Sequence, residues 1–355
     1  MEVETALSNY EKERVVYFDI LNVLAIIAVI AMHCNSIVHE NPYIRAWNSS
    51  LLVECLCYWA VPVFLMLSGA TLMNYREKYD TKTFFKKRFS KILMPFIIFA
   101  LAALLWKIFT KQFELEQVLG IRKIINIIMN NQEAGAYYFI FEILGIYLTM
   151  PLLSLLPKAE NRKTLWLIVL LYFIFNATLN NLLPIIGIQY NNRLTIQIGN
   201  YVIYVFLGYL LSTQDLTKKQ KILLYVSALI GVIFRYVTTF IWSKASGEVV
   251  RTTWGYCQWH TILLASAVFV FVKNLKTNEK IKNNEKLSKI LKQIANCSFG
   301  IYLIHLFFVY YELQIFNIDK HTWQWRTIGI ITTYLISLAA VYILKKIPIL
   351  KRLVP

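Results

Sequence analysis

Apolar runs of roughly 20 residues recur along this chain, and a run of that length crosses the hydrocarbon core of a bilayer as a helix. Inside lipid every backbone N–H and C=O must be bonded within the protein, which leaves only helices or a closed barrel. The runs are continuous rather than alternating, and that selects helices. Of 355 residues 57% are apolar and 16% charged, too little charge to cover a soluble protein of this size. The fold expected is therefore all-α: a single polytopic membrane bundle over residues 1–355, with no separate soluble domain. Ten spans are expected, at about 15–38, 51–73, 91–110, 137–157, 164–181, 197–212, 220–242, 259–273, 296–313 and 326–345. The first 13 residues are polar and acidic, with neither a basic n-region nor a small-residue cleavage site, so no removable signal peptide is expected.

Charge sets the orientation. With the N-terminus inside, the inner segments hold 26 of the 37 Lys and Arg residues. Basic loops stay cytoplasmic, so both termini are expected on that side of the cell membrane. The formal charge of +17 does not indicate nucleic acid, because it is spread over inner loops and gathers on no soluble face. Two readings remain open: attraction to anionic membrane lipid, or a basic loop that also binds a polyanionic cofactor. Arg88 and Lys91 are three residues apart and project together from a helix, suited to the phosphates of a nucleotide-like donor. The five cysteines are odd in number and show no metal-ligand spacing. They read as small apolar fillers, and no metal is expected.

Polar groups inside apolar runs carry the functional signal. Asn22 and His33 are eleven residues apart, almost three whole turns, so they share one helix face roughly 16 Å apart along the axis. Asp19 falls near the same stripe. In the ninth span Ser298, Tyr302 and His305 line one face at offsets of four and three. Each group has a bland reading, a core histidine bonded to a carbonyl or a hydrogen-bonded seam between helices. Each also has a functional one, since an ionisable residue within a span is costly and usually employed. Counted from the outer ends, His33, Glu54, Glu142 and Arg235 lie at similar height on four spans. That suggests either ion pairs of Arg235 with Glu54 or Glu142, or a polar chamber open to the outside.

Outer loops add weaker hints. Ile121, Ile124, Ile125, Ile128 and Met129, with Arg122 and Lys123 between them, suit a helix lying in the interface. Trp254, Tyr256 and Trp259 are ordinary interface anchors, or platforms on which sugar rings stack.

Four segments, in order, resemble the acyltransferase 3 family of bacterial integral membrane acyltransferases. Arg14 to His33 is similar to its opening span. Ala60-Val61-Pro62-Val63-Phe64-Leu65-Met66-Leu67-Ser68-Gly69 is similar to its second. Arg88-Phe89-Ser90-Lys91 before Pro95 resembles its cytoplasmic Arg-x-x-Arg loop. Ser298-Phe299-Gly300-Ile301-Tyr302-Leu303-Ile304-His305 resembles its late signature. Tyr147-Leu148-Thr149-Met150-Pro151 and Phe206-Leu207-Gly208-Tyr209 are fainter echoes.

The resemblance implies transfer of an acyl group, often acetyl, from acyl-CoA to a hydroxyl of a cell-envelope glycan or glycolipid. His33 with Asp19 would be catalytic, His33 as general base. Arg88, Lys91 and Arg14 would hold acyl-CoA, a donor substrate rather than a tightly bound cofactor. Asn22, Glu54, Glu142, Arg235, Ser298, Tyr302 and His305 would line the substrate cavity. The chain departs from the family at Asn22, where many members carry Arg or Lys, at Lys91 in place of the second Arg, and at Ala136-Tyr137-Tyr138-Phe139, which lacks the usual His and Trp. The competing reading is a transporter or flippase for an envelope precursor, but the inverted repeats such proteins often show are not evident.

Overall fold

A computed structural model describes residues 15–348 and 350–354. Arg14, expected to help hold the donor, lies outside the described residues. Among these, helices make up nearly all regular structure and there is no strand. Eight helical stretches are long and apolar enough to span a membrane. Two shorter apolar helices, Val202–Thr213 and Trp259–Lys273, stand where the sixth and eighth spans were expected.

We number the principal helices α1 Val16–Cys34, α2 Trp47–Cys57, α3 Ala60–Leu72, α4 Thr81–Phe109, α5 Ile121–Met129, α6 Tyr138–Leu153, α7 Arg162–Tyr172, α8 Val202–Thr213, α9 Lys218–Ser246, α10 Trp259–Lys273, α11 Glu285–Ile315 and α12 Trp323–Lys346. Helices α2 and α3 form one long apolar stretch broken at Tyr58 and Trp59. Pro62 accounts for the break: it lacks an N–H, and its ring would clash with the carbonyl of Tyr58, four residues back. The break turns Tyr58 toward the 251–258 loop, where its hydroxyl donates to the carbonyl of Trp254.

Helices α1, α3, α8, α10 and α11 form the centre. Helix α8 spans only about 18 Å, too short for the hydrocarbon. It does not face lipid: every residue from Val202 to Leu211 is buried. Its closest partner is α3, and two glycines permit the approach. A Cβ on Gly69 would sit 2.0 Å from the Val205 carbonyl oxygen, and one on Gly208 1.9 Å from that of Met66. This backbone contact gives the Gly69 and Gly208 segments a packing role. Around this centre α4, α9 and α12 turn large apolar side chains outward, among them Leu105, Phe109, Leu223, Ile230, Ile331 and Leu335.

One end of the bundle is basic. There Lys221 bonds Asn274, Lys273 bonds the carbonyls of Leu211 and Gln214, Lys345 bonds the Asn296 carbonyl, and Arg76 bonds Ser154. The opposite end is tied by Tyr43 and Lys244, by Arg326 with Ala46 and Ser50, and by Lys107 with Gln132. Helix α5 lies at that opposite end with Ile121, Ile125 and Met129 exposed and Ile127 packed beside Leu104 and Val118. This is the amphipathic placement its spacing suggests.

Candidate functional site

Two cavities meet inside the bundle. The first opens at the basic end, holds about 480 Å³, and is lined by Asn22, Ser68, Arg88, Lys91, Ser298 and Lys345 among others. The second, about 280 Å³, lies toward the opposite end and is lined by His33, His39, Glu54, Tyr58, Trp254 and Tyr256 among others. Phe139 and Tyr302 line both, and so form the wall between them.

The wall is held firmly. The Tyr302 hydroxyl donates to the carbonyl of Ala136, and the Tyr137 hydroxyl donates to the carbonyl of Leu303 at 2.6 Å. This reciprocal pair fastens α11 to the turn that starts α6. The Phe139 ring meets that of Tyr302 edge to face at 5.7 Å. One turn further along α11, His305 Nδ1 lies 2.7 Å from the Tyr302 carbonyl and 3.1 Å from that of Ile301. A carbonyl only accepts, so Nδ1 carries the proton. Nε2 of His305 is buried with no hydrogen-bond partner in the chain. The His305 ring is completely buried and its centroid is 5.1 Å from that of His33. His305 thus stands behind His33 rather than in a cavity.

On the basic side, Arg88 and Lys91 project from the first half of α4 and Lys345 from the end of α12. Three cations therefore border one chamber. Arg88 Nε and Ser298 Oγ, both on its wall, have no hydrogen-bond partner within the chain. Asn22 donates to its own helix, to the Phe18 carbonyl at 3.0 Å.

On the opposite side, Glu54 is 3.7 Å from Arg235, with side-chain exposures of 7% and 2%. The Arg235 guanidinium lies 3.4 Å from the centre of the Tyr58 ring. Arg235 does not line the cavity; it holds Glu54 and Tyr58 from behind. His39 is outside the first span, and burial, aided by Arg251 and Arg235, pushes its imidazole below the ordinary value. Fewer protons then compete for it near neutral pH.

The structure divides the residues chosen from sequence. Asn22, Arg88, Lys91 and Ser298 share the basic chamber, His33 and Glu54 share the other, and Tyr302 belongs to both. Four do not line either cavity: Arg235 and His305, which stand behind the lining residues, and Asp19 and Glu142. Asp19 lines neither cavity, and fourteen residues before His33 it is about 21 Å away along the helix axis, too far to act on that imidazole. Glu142 has the right height but lines neither cavity and makes no ion pair with Arg235. Height along a helix does not fix azimuth, which is why counting residues placed it wrongly. Of the loop aromatics, Trp254 and Tyr256 border the His33 cavity and Trp259 does not. Lys345, His39, Tyr58 and Phe139 were not singled out in the sequence as site residues. Only His39 left a trace there, as a second histidine six residues after His33.

Comparison with curated proteins and with solved structures finds no match. Residues 15–342 match the sequence profile of a family described as an acyltransferase domain. That match covers almost the entire chain and takes in the wall and every lining residue of both chambers except Lys345, so the protein belongs to the acyltransferase 3 family and is a membrane acyltransferase.

Proposed function

We propose that the protein takes an acyl group, most simply acetyl, from acyl-CoA bound at its basic end. It passes the group to a hydroxyl of a cell-envelope glycan or glycolipid in the His33 cavity. The observation that carries this reading is the pair of chambers meeting at Tyr302 and Phe139, cationic on one side and histidine-lined on the other. Positive-inside orientation puts the basic chamber on the cytoplasmic face of the cell membrane, where CoA is found. Arg88, Lys91 and Lys345 would hold its phosphates through charge-assisted bonds. The extended pantetheine arm then reaches the wall from the basic chamber, and the thioester has to pass between Tyr302 and Phe139 to meet a hydroxyl held at His33.

In the His33 cavity the chemistry is ordinary acyl transfer. A sugar hydroxyl is a weak nucleophile at neutral pH. His33, which makes no hydrogen bond among the described residues, takes the hydroxyl proton as the oxygen attacks the thioester carbon. The tetrahedral intermediate collapses, the C–S bond breaks, and CoA leaves as thiolate while the acyl group stays on the sugar oxygen. The proton passes from His33 to the thiolate or to water. Glu54 and His39 on the same cavity wall make the chamber polar enough to receive a hydroxylated ligand.

The test uses full-length protein in nanodiscs with labelled acetyl-CoA and envelope polysaccharide. Label should move to the polysaccharide, and His33→Gln should slow that transfer about 10²-fold or more while donor binding persists. Activity of His33→Gln within threefold of the parent would remove His33 from the mechanism. Glycan movement across a vesicle with no acyl release would favour a transporter instead.

A further inference from the structure

A third cavity, about 400 Å³, lies beside the His33 chamber, and Tyr256 lines both. Its wall is unusual in this apolar protein. Asn176, Asn180, Asn192 and Asn200 border it, with the rings of Tyr172 and Tyr201, and no acidic or basic side chain does. The asparagines come from three separate stretches of chain. Helix α7 continues as a π-helix over Phe173–Leu179, followed by Asn180–Ile185. π-Turns are rare and cluster at functional sites.

Part of the set builds the cleft. Asn176 Nδ2 donates to the Ile196 carbonyl at 3.1 Å, and Ile196 N–H donates back to Asn176 Oδ1 at 2.8 Å. That double bond folds the 186–199 loop over the π-turn. Tyr172 fixes the other edge by donating to the Asn200 carbonyl at 3.0 Å. The rest of the set is free. The side chains of Asn180 and Asn192 are exposed and make no hydrogen bond within the chain, nor does the Asn200 amide nitrogen donate one.

An amide offers a donor and an acceptor side by side, and so does each hydroxyl of a sugar. A cleft with several free amides and the half-buried Tyr201 ring, and with no charged side chain in its lining, matches an uncharged pyranose: hydroxyls pair with amides and the C–H face lies on that ring. It does not match a phosphate or carboxylate, for which the lining supplies no cationic partner. We propose that this cleft is a subsite for a neutral saccharide unit of the acceptor, set so that an adjoining unit reaches His33 past Tyr256. The proposal rests on the glycan-acceptor reading above and adds a location and a charge class to it.

Binding can be measured apart from chemistry. Full-length protein in nanodiscs is titrated by saturation-transfer NMR with methyl β-D-glucopyranoside and methyl N-acetyl-β-D-glucosaminide, and with methyl β-D-glucuronide as the charged counterpart, no donor being present. At least one neutral glycoside should bind, and the glucuronide should bind more weakly. The Asn180→Ala/Asn192→Ala variant, altered only at exposed side chains, should bind the neutral probe about tenfold more weakly, as expected for loss of two hydrogen bonds. Its thermal unfolding and its acyl release from acetyl-CoA should match the parent. The subsite is overturned if neither neutral probe binds, if the glucuronide binds best, or if the variant binds as the parent does. Acyl release from acetyl-CoA by the same preparation then tells the two failures apart. If release persists, acyl transfer stands and only the subsite falls; if it is absent in the parent too, the acyl-transfer reading falls.

Discussion

Removing Glu54 should damage this protein more than removing Arg235, although the two are ion-pair partners. Arg235 is buried, and none of its guanidinium nitrogens makes a hydrogen bond within the chain. Glu54 at 3.7 Å is the one carboxylate that reaches it among the described residues. Glu54→Ala therefore leaves a buried cation supported only by the Tyr58 and Trp254 rings, whose centres are 3.4 and 5.4 Å from the guanidinium. Losing one partner of a buried pair costs about 3–5 kcal/mol. The rings return about 2 kcal/mol in a desolvated setting, and they were already present in the parent. Arg235→Met leaves Glu54 instead, and Glu54 borders a polar cavity where water can reach it. The cost there should be nearer 1–3 kcal/mol, about that of one lost charged hydrogen bond.

The double variant Glu54→Leu/Arg235→Met removes both charges, and the coupling should be about 2 kcal/mol. Equilibrium unfolding in mixed micelles, followed by tryptophan fluorescence, gives the four corners of the cycle. Glu142→Ala should be additive with Arg235→Met. Zero coupling between Arg235 and Glu54, or a larger loss from Arg235→Met than from Glu54→Ala, would refute the burial argument. Transfer activity should not return in the double variant, because Tyr58 and the cavity edge lose their backing.

On the donor side, Arg88→Ala, Lys91→Ala and Lys345→Ala should each raise the apparent KM for acetyl-CoA about tenfold or more, with a smaller change in kcat, since each removes a charged hydrogen bond worth about 1.5–3 kcal/mol; unchanged donor binding in the triple variant would remove this chamber as the CoA site. At the opposite end, Glu133 is buried with both carboxylate oxygens unpaired, because Lys107 spends its ammonium on the Gln132 carbonyl at 2.6 Å. Burial raises the Glu133 carboxyl to about 7, only partly offset by its own backbone N–H and by Lys107. The folded state then holds a proton that the unfolded chain releases near 4.5, so stability falls as pH rises from there through 7. Glu133→Gln should raise Tm at pH about 8, by up to about 3 kcal/mol of stability, and change little at pH about 4; equal effects at both pH values would refute the protonation argument.

Much of the fold was legible because the bilayer allows so few solutions. Continuous apolar runs located the eight helical stretches long enough to span and the two shorter apolar helices, and the loops rich in Lys and Arg gather at one end. The two helices too short to span were visible as runs, but nothing in their composition says that α8 is sheathed by protein. That depends on Gly69 and Gly208 meeting across a crossing. The site was legible along helices and not between them. Periodicity put Asn22 and His33 on one face of α1, and the structure agrees, but it could not reveal that Phe139 from another helix helps divide that face into two chambers. Lys345 was hidden for a related reason. In sequence it is one more cation in a basic tail, and only the return of α12 beside Asn296 brings it to the same chamber as Arg88.

The division into chambers also bears on the substitution at Asn22. Where many members of the family carry a basic residue, this chain has an amide, and its Nδ2 bonds the carbonyl of Phe18 in the same helix. Position 22 lines the basic chamber, roughly 16 Å from His33 along α1 and across the wall formed by Tyr302 and Phe139. A cation there would act on whatever the basic chamber holds and not on the histidine. Its loss would weaken the grip on an anionic donor and leave proton abstraction alone. In this chain Arg88, Lys91 and Lys345 still border that chamber, so an anionic donor bound there would meet three cations without help from position 22. The exchange of a charge for an amide at Asn22 is then compatible with the proposed base at His33, because the two residues line different chambers on opposite sides of one wall.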